Sequence, residues 1–209
     1  MHTNISAGIV ALDAQAVRAS IDLVARVTER DLARPTPCVD WTLHGLLRHM
    51  IAQHHGFAAA AAGDGDLANW MLRPLGADPA AAYRAAAGTV LGAFAADGVV
   101  EREFPLPELR LGQLFPGRQA ISFHLVDYVV HAWDVAVTLG APVELDPALL
   151  DAALRVARAV PGGGFRLEPG AAFGPAVEWS PGAGGPGGSR LDQIVALLGR
   201  SPGWRPDRP

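Results

Sequence analysis

Residues 123–136 read FHLVDYVVHAWDVA, and the reading of that stretch decides the fold. Four polar side chains, His124, Asp127, His131 and Asp134, interrupt an otherwise apolar run at intervals of three, four and three. At about 100° per residue they fall within about 80° of one another around a helix axis, so they form one stripe. The rest of the surface is Ile121, Phe123, Leu125, Val126, Tyr128, Val129, Val130, Ala132, Trp133 and Val135. Two readings stand side by side. The stripe is either the solvent face of a mostly buried helix, or a set of metal donors, because imidazole and carboxylate are the usual ligands of a catalytic divalent ion where thiolates are lacking.

Working outward, this helix begins near Gly117 and ends at Gly140, where glycine followed by Ala-Pro reads as a C-cap and stop. Before it, apolar residues recur at Val10, Ala14, Val17, Ile21 and Val24, which predicts a first amphipathic helix from Ser6 to about Glu29. The prolines of RPTPCVDW (34–41) break the pattern, and Asp40 is expected to cap a second helix from Trp41 to about Ala62. Its buried face is Leu43, Leu46, Leu47, Met50 and Ile51, with His49 and Gln53 along one edge. Asp78-Pro79 starts a third helix carrying Tyr83, Ala87, Val90, Leu91 and Phe94. Residues 98–116 are too rich in proline for a helix and read as an irregular crossover or a short edge strand. After the fourth helix come a fifth opening at Asp146-Pro147, a strand expected at FGPAVEW (173–179) between glycine-rich loops, and a short helix at Arg190–Leu198.

The expected fold is mainly α: a four-helix bundle with a crossover segment and a small C-terminal α/β extension. Residues 1–209 read as a single domain, with the bundle in 1–140 and the extension, packed on it, in 141–209. Such bundles build sites from side chains of facing helices. Asp127 and His131, one turn apart, could grip one ion, and His49 on the rim of the second helix is the best placed third donor. His54, in the middle of the apolar face of that helix, reads as an interior histidine, and His44 and His55 as solvated. Asp134 either orients His131 or lies at the surface. Cys38, in a proline turn, reads as a packed small side chain.

Composition narrows the function. The 209 residues are half hydrophobic and carry 17 basic against 21 acidic side chains, a net charge of −4. That balance offers no basic footprint for a nucleic acid. The single cysteine permits neither an intrachain disulfide nor a thiolate zinc cluster. No apolar run approaches the roughly 18 residues of a membrane span, and MHTNISAGIVALDAQ lacks the features of a signal peptide. The expectation is a cytoplasmic protein without nucleic-acid or membrane partners.

Beyond these patterns, TPCVDWTLHGLLRHMIAQHHGFAAA (36–60) resembles the first block of the DinB-like helical bundles related to mycothiol-dependent maleylpyruvate isomerase, a Thr-Pro-x-x-x-Trp-Thr opening before a leucine-rich helix with a central histidine. HLVDYVVHAWDVAVTLG (124–140) is similar to the second block, an acid and a histidine four apart followed by Trp-Asp. FGPAVEW with LDQIVALLGRSPGW resembles the tail of the actinobacterial subgroup. The resemblance implies a four-helix bundle holding a divalent metal, commonly zinc, on His49, Asp127 and His131. Asp127 departs from the pattern, since the isomerase has glutamate there. The resemblance also implies mycothiol as a co-substrate whose metal-activated thiolate adds to a small electrophile, in S-transfer or isomerisation.

His124, one turn before Asp127, is a candidate proton donor or acceptor, with a fourth ligand or a surface residue as its other readings. A metal hydrolase and a non-catalytic metal- or small-molecule-binding bundle are the alternatives in function. A homodimer through helix faces is expected by analogy with other bundles.

Overall fold

The computed structural model describes residues 3–38, 41–110, 112–167, 171–178 and 189–206. The chain is mainly helical, with α1 Thr3–Val24, α2 Leu43–Ala61, α3 Pro79–Phe94, α4 Gly117–Leu139, α5 Pro147–Ala159 and α6 Arg190–Leu197. A two-stranded sheet, β1 Glu103–Pro105 and β2 Leu114–Pro116, precedes α4. In the bundle α4 lies along α1 and α2 along α3, while α5 rests on α4 and α1 and carries α6.

The starts of these helices follow from local chemistry. Asp78 and Asp146 each accept a backbone N–H of the following first turn, from Ala81 at 2.9 Å and from Ala148 at 2.8 Å, and each is followed by proline. α2 is started differently from the expectation. Asp40 lies outside the described residues, and Thr42 stands at the N-cap without a side-chain hydrogen bond. The first amide groups of α2 are taken instead by the preceding loop: Leu43 N donates to Arg34 O and His44 N to Leu32 O, both at 2.9 Å. Those carbonyls satisfy donors that a capping side chain would otherwise have to meet. At the other end of the bundle Gly140 closes α4 at φ 68°, a left-handed conformation that suits glycine.

The crossover resolves into a hairpin with Phe104 opposite Phe115. Phe104 is fully buried in a smaller core with Phe57, Trp70, Val90, Phe94 and Ile121. The larger core joins α1, α2, α4, α5 and α6 through Val17, Leu46, Met50, Tyr128, Val129, Leu149 and Ile194. The strand expected at 173–179 is not formed over residues 173–178. No second strand lies beside that segment among the described residues. Val177 N donates to Ala196 O at the end of α6, and the Arg166 guanidinium ties Pro161 O, Val160 O and Gly174 O together. Among the described residues no helix is long and apolar enough to cross a membrane.

α4 corrects the solvent-face reading of its polar stripe. His124 and Asp134 are 0% exposed and His131 is 3% exposed, and Asp127 alone keeps a partly open side chain, at 17%. With α1, α2 and α5 packed around it, α4 has no wet side over its middle. Three polar side chains are therefore buried there, and each must find partners inside the protein.

Candidate metal centre

The lower half of the stripe meets α2. His131 Nε2 stands 3.2 Å from Asp127 Oδ1, and the His49 ring presents itself edge-on to the His131 ring with centroids 5.2 Å apart. One donor atom each from His49, Asp127 and His131 lie within 4.8 Å of one another. A divalent ion bound at about 2.1 Å to nitrogen and oxygen in a tetrahedral site separates its donors by about 3.4 Å. The Asp127–His131 separation is already near that value. The exposed Trp41 ring packs on His49 with centroids 4.7 Å apart and forms one wall of the cluster.

The far side of His131 explains its orientation. Its Nδ1 is 2.9 Å from Asp134 Oδ2, so an Nδ1–H donated to that carboxylate turns Nε2 towards Asp127 and His49. Asp134 is itself held: Cys38 S–H donates to Oδ2 at 3.2 Å, and Arg200 Nη2 donates to Oδ2 at 3.3 Å and to Cys38 Sγ at 3.1 Å. Cys38 is thus more than the packed side chain expected from its proline turn. With His131 and Asp134 it forms a second group of donors close enough for an ion. The sequence reading missed it because residues 38, 131 and 200 are far apart along the chain.

The electrostatics suit a cation. Burial, and then the charge of His131, hold His49 down at about 4, so its imidazole is neutral and has a free lone pair near neutral pH. Burial opposes the ionised Asp127, but His131 and His49 outweigh it and keep the carboxyl well below the usual range. Burial likewise opposes a charged His131, and Asp127 and Asp134 reverse this, so that without a metal the ring is held as imidazolium. Two donors are ready, and the third must give up a proton to a metal. The residues therefore fit a divalent ion with at least one position left open.

His124 has surroundings other than those expected. Instead of facing the open side of the cluster, its Nδ1 is 2.7 Å from Asp13 Oδ1 on α1, and its Nε2 is 3.3 Å from His54 Nδ1 on α2. Phe57, Phe94 and Tyr128 enclose the ring. His54 is the interior histidine anticipated, stacked on Tyr128 at 4.1 Å. Asp13 was not singled out, although it lies three residues after Val10 and four before Val17 on the buried stripe of α1. A carboxylate in that register was the available signal that it would be buried.

Comparison with known proteins accords with this architecture. Residues 14–136, which include α2, most of α4 and His49, Asp127 and His131, match the family described as the mycothiol maleylpyruvate isomerase N-terminal domain. Two curated proteins of Mycobacterium tuberculosis, uncharacterized protein Rv0738 of strain H37Rv and uncharacterized protein MT0763 of strain CDC 1551, are each 34% identical over 188 residues, covering 86% of this chain and 90% of theirs. The chain belongs to the mycothiol maleylpyruvate isomerase N-terminal domain family, a mycothiol-related group of DinB-like metal-binding proteins.

Proposed function

We propose that the protein is a metal-dependent enzyme that uses mycothiol, either to transfer sulfur to a small electrophile or to isomerise one. The observation that carries this reading is the convergence of His49, Asp127 and His131 from two facing helices, in a chain of a mycothiol-related family. A divalent ion there, with zinc the natural candidate for two imidazoles and a carboxylate, supplies an open position at which a thiol ionises near neutral pH. The protein's part is to hold the donors. Asp134 fixes the His131 ring, and Arg200 and Cys38 fix Asp134. Asp127 has one methylene fewer than glutamate, so α4 must lie close to the ion for the carboxylate to reach it.

A metal hydrolase is less well supported. Its chemistry would call on Asp134 or His124 as acid or base, and both are engaged with other side chains away from the open position. The decisive experiment is elemental analysis of untagged protein beside His131→Ala, followed by assays of small electrophiles with and without mycothiol. About one divalent metal per chain, lost in the variant, together with turnover that requires the thiol, is the expected result. Metal-free wild-type protein would overturn the reading, and thiol-independent turnover would redirect it to hydrolysis.

A further inference from the structure

Ionising a thiol in this site requires somewhere for its proton to go, and the side chains already described are either engaged with one another or, like His49, committed to the metal. Asp134 accepts from His131, Cys38 and Arg200. Asp127 is paired with His131, and His124 is closed in with Asp13 and His54. Among the described residues, one further carboxylate reaches this region. Gln53 lies one turn beyond His49 on α2, and its Nε2 donates at 2.6 Å to Oε2 of Glu108, which the segment between β1 and β2 brings across. Residues four apart on a helix are neighbours on its surface, about 6 Å apart. Gln53 therefore ties the Glu108 carboxylate to α2 one turn from His49, near enough for Asp127 to act on it electrostatically.

We propose that Glu108 is the proton acceptor of the site, taking the proton of the thiol that enters it. This rests on the thiol reading above. In the step the S–H bond breaks, its electron pair stays on sulfur as the thiolate, and the proton forms an O–H bond with the Glu108 carboxylate. Gln53 occupies Oε2, which leaves Oε1 to receive it. Two observations support the role. Glu108 is a surface side chain and can meet a ligand arriving from solvent, unlike the sealed His124. Partial burial, opposed by the Gln53 hydrogen bond and reinforced by the negative Asp127, also raises its carboxyl above the ordinary range and makes it a stronger base. Asp127 and Gln53 are the side chains that act on it from α4 and α2.

The test is to titrate zinc-loaded, untagged protein with mycothiol near pH 7 by calorimetry, in buffers of different ionisation heat, counting protons released per thiol bound. With the titration repeated from about pH 7 down towards about pH 6, wild type should release progressively fewer protons per thiol than the isosteric Glu108→Gln at unchanged zinc content, because a carboxyl raised above its ordinary range keeps more of the thiol proton as the pH falls. Equal release from the two proteins would overturn the role of Glu108. Absence of mycothiol binding by both zinc-loaded proteins would overturn the thiol reading itself, and the role of Glu108 with it.

Discussion

α4 carries two polar clusters less than two turns apart, and they are built to different ends. His124 is enclosed by Phe57, Phe94 and Tyr128, and its two ring nitrogens are taken by Asp13 and His54. His131 has one nitrogen taken by Asp134, while the other points at a group of donors that is partly open to solvent. The first arrangement joins α1, α4 and α2 through buried hydrogen bonds, and the second turns a ring nitrogen to a partly open group of donors, which a metal can claim in exchange for its proton. The same residue types at the same helical spacing thus serve a structural cluster and a candidate metal centre. What separates them is whether the second ring nitrogen ends in the protein or at an opening.

The sharpest way to break this contrast is to remove one histidine nitrogen at the open cluster. His131→Ala should lower divalent-metal affinity by about 100-fold or more, read by competition with a chelator, since two donors remain where three stood. Retained affinity would mean that the open cluster is as structural as the closed one. At the closed cluster, Asp13→Ala should leave the metal content unchanged and cost about 2–4 kcal/mol of stability in urea, because it strips a fully buried histidine of its carboxylate. A large loss of metal in that variant would show the clusters to be coupled.

Asp134→Asn sharpens the comparison further. It weakens the hold on His131 without removing a donor, and metal affinity should fall by about 10- to 100-fold, as is usual for carboxylates behind a ligating histidine.

The smallest effect concerns pH in the metal-free protein. An unfolded histidine binds its proton near 6.5, whereas folding holds His49 down to about 4 by burial and by the charge on His131. Between those values the unfolded chain carries more protons, so stability falls as pH drops from about 6.5 towards 4, by at most about 1.4 kcal/mol per pH unit. His54, buried and lowered for the same reason, acts in the same direction. His49→Gln should flatten the slope of urea midpoint against pH without abolishing it. An unchanged slope would place His49 in contact with water rather than in the cluster.

Much of this was legible in the chain. The two Asp-Pro starts and Gly140 place the starts of α3 and α5 and the end of α4 closely, because caps are local properties, whereas α1 stops at Val24, short of the expected Glu29. The start of α2 was less legible, since its first amides are satisfied by carbonyls of Leu32 and Arg34 rather than by an adjacent side chain. Residues 173–178 carry Val and Phe as a strand would, but a strand needs a partner, and in place of one the end of α6 offers a single carbonyl.

The sequence by itself determined a helical bundle, the shared stripe of His124, Asp127, His131 and Asp134, and a third donor on the rim of α2, since helical period and residue chemistry suffice for these. Only the tertiary structure decided that the stripe is buried, that His124 turns to Asp13 and His54 while His131 turns to His49, and that Cys38, Arg200 and Glu108 surround the open cluster. The reason is physical. A stripe about 80° wide fixes which side of a helix its residues share, but where the His124 nitrogens end depends on His54 and Asp13, 70 and 111 positions distant, brought in by the packing of other helices.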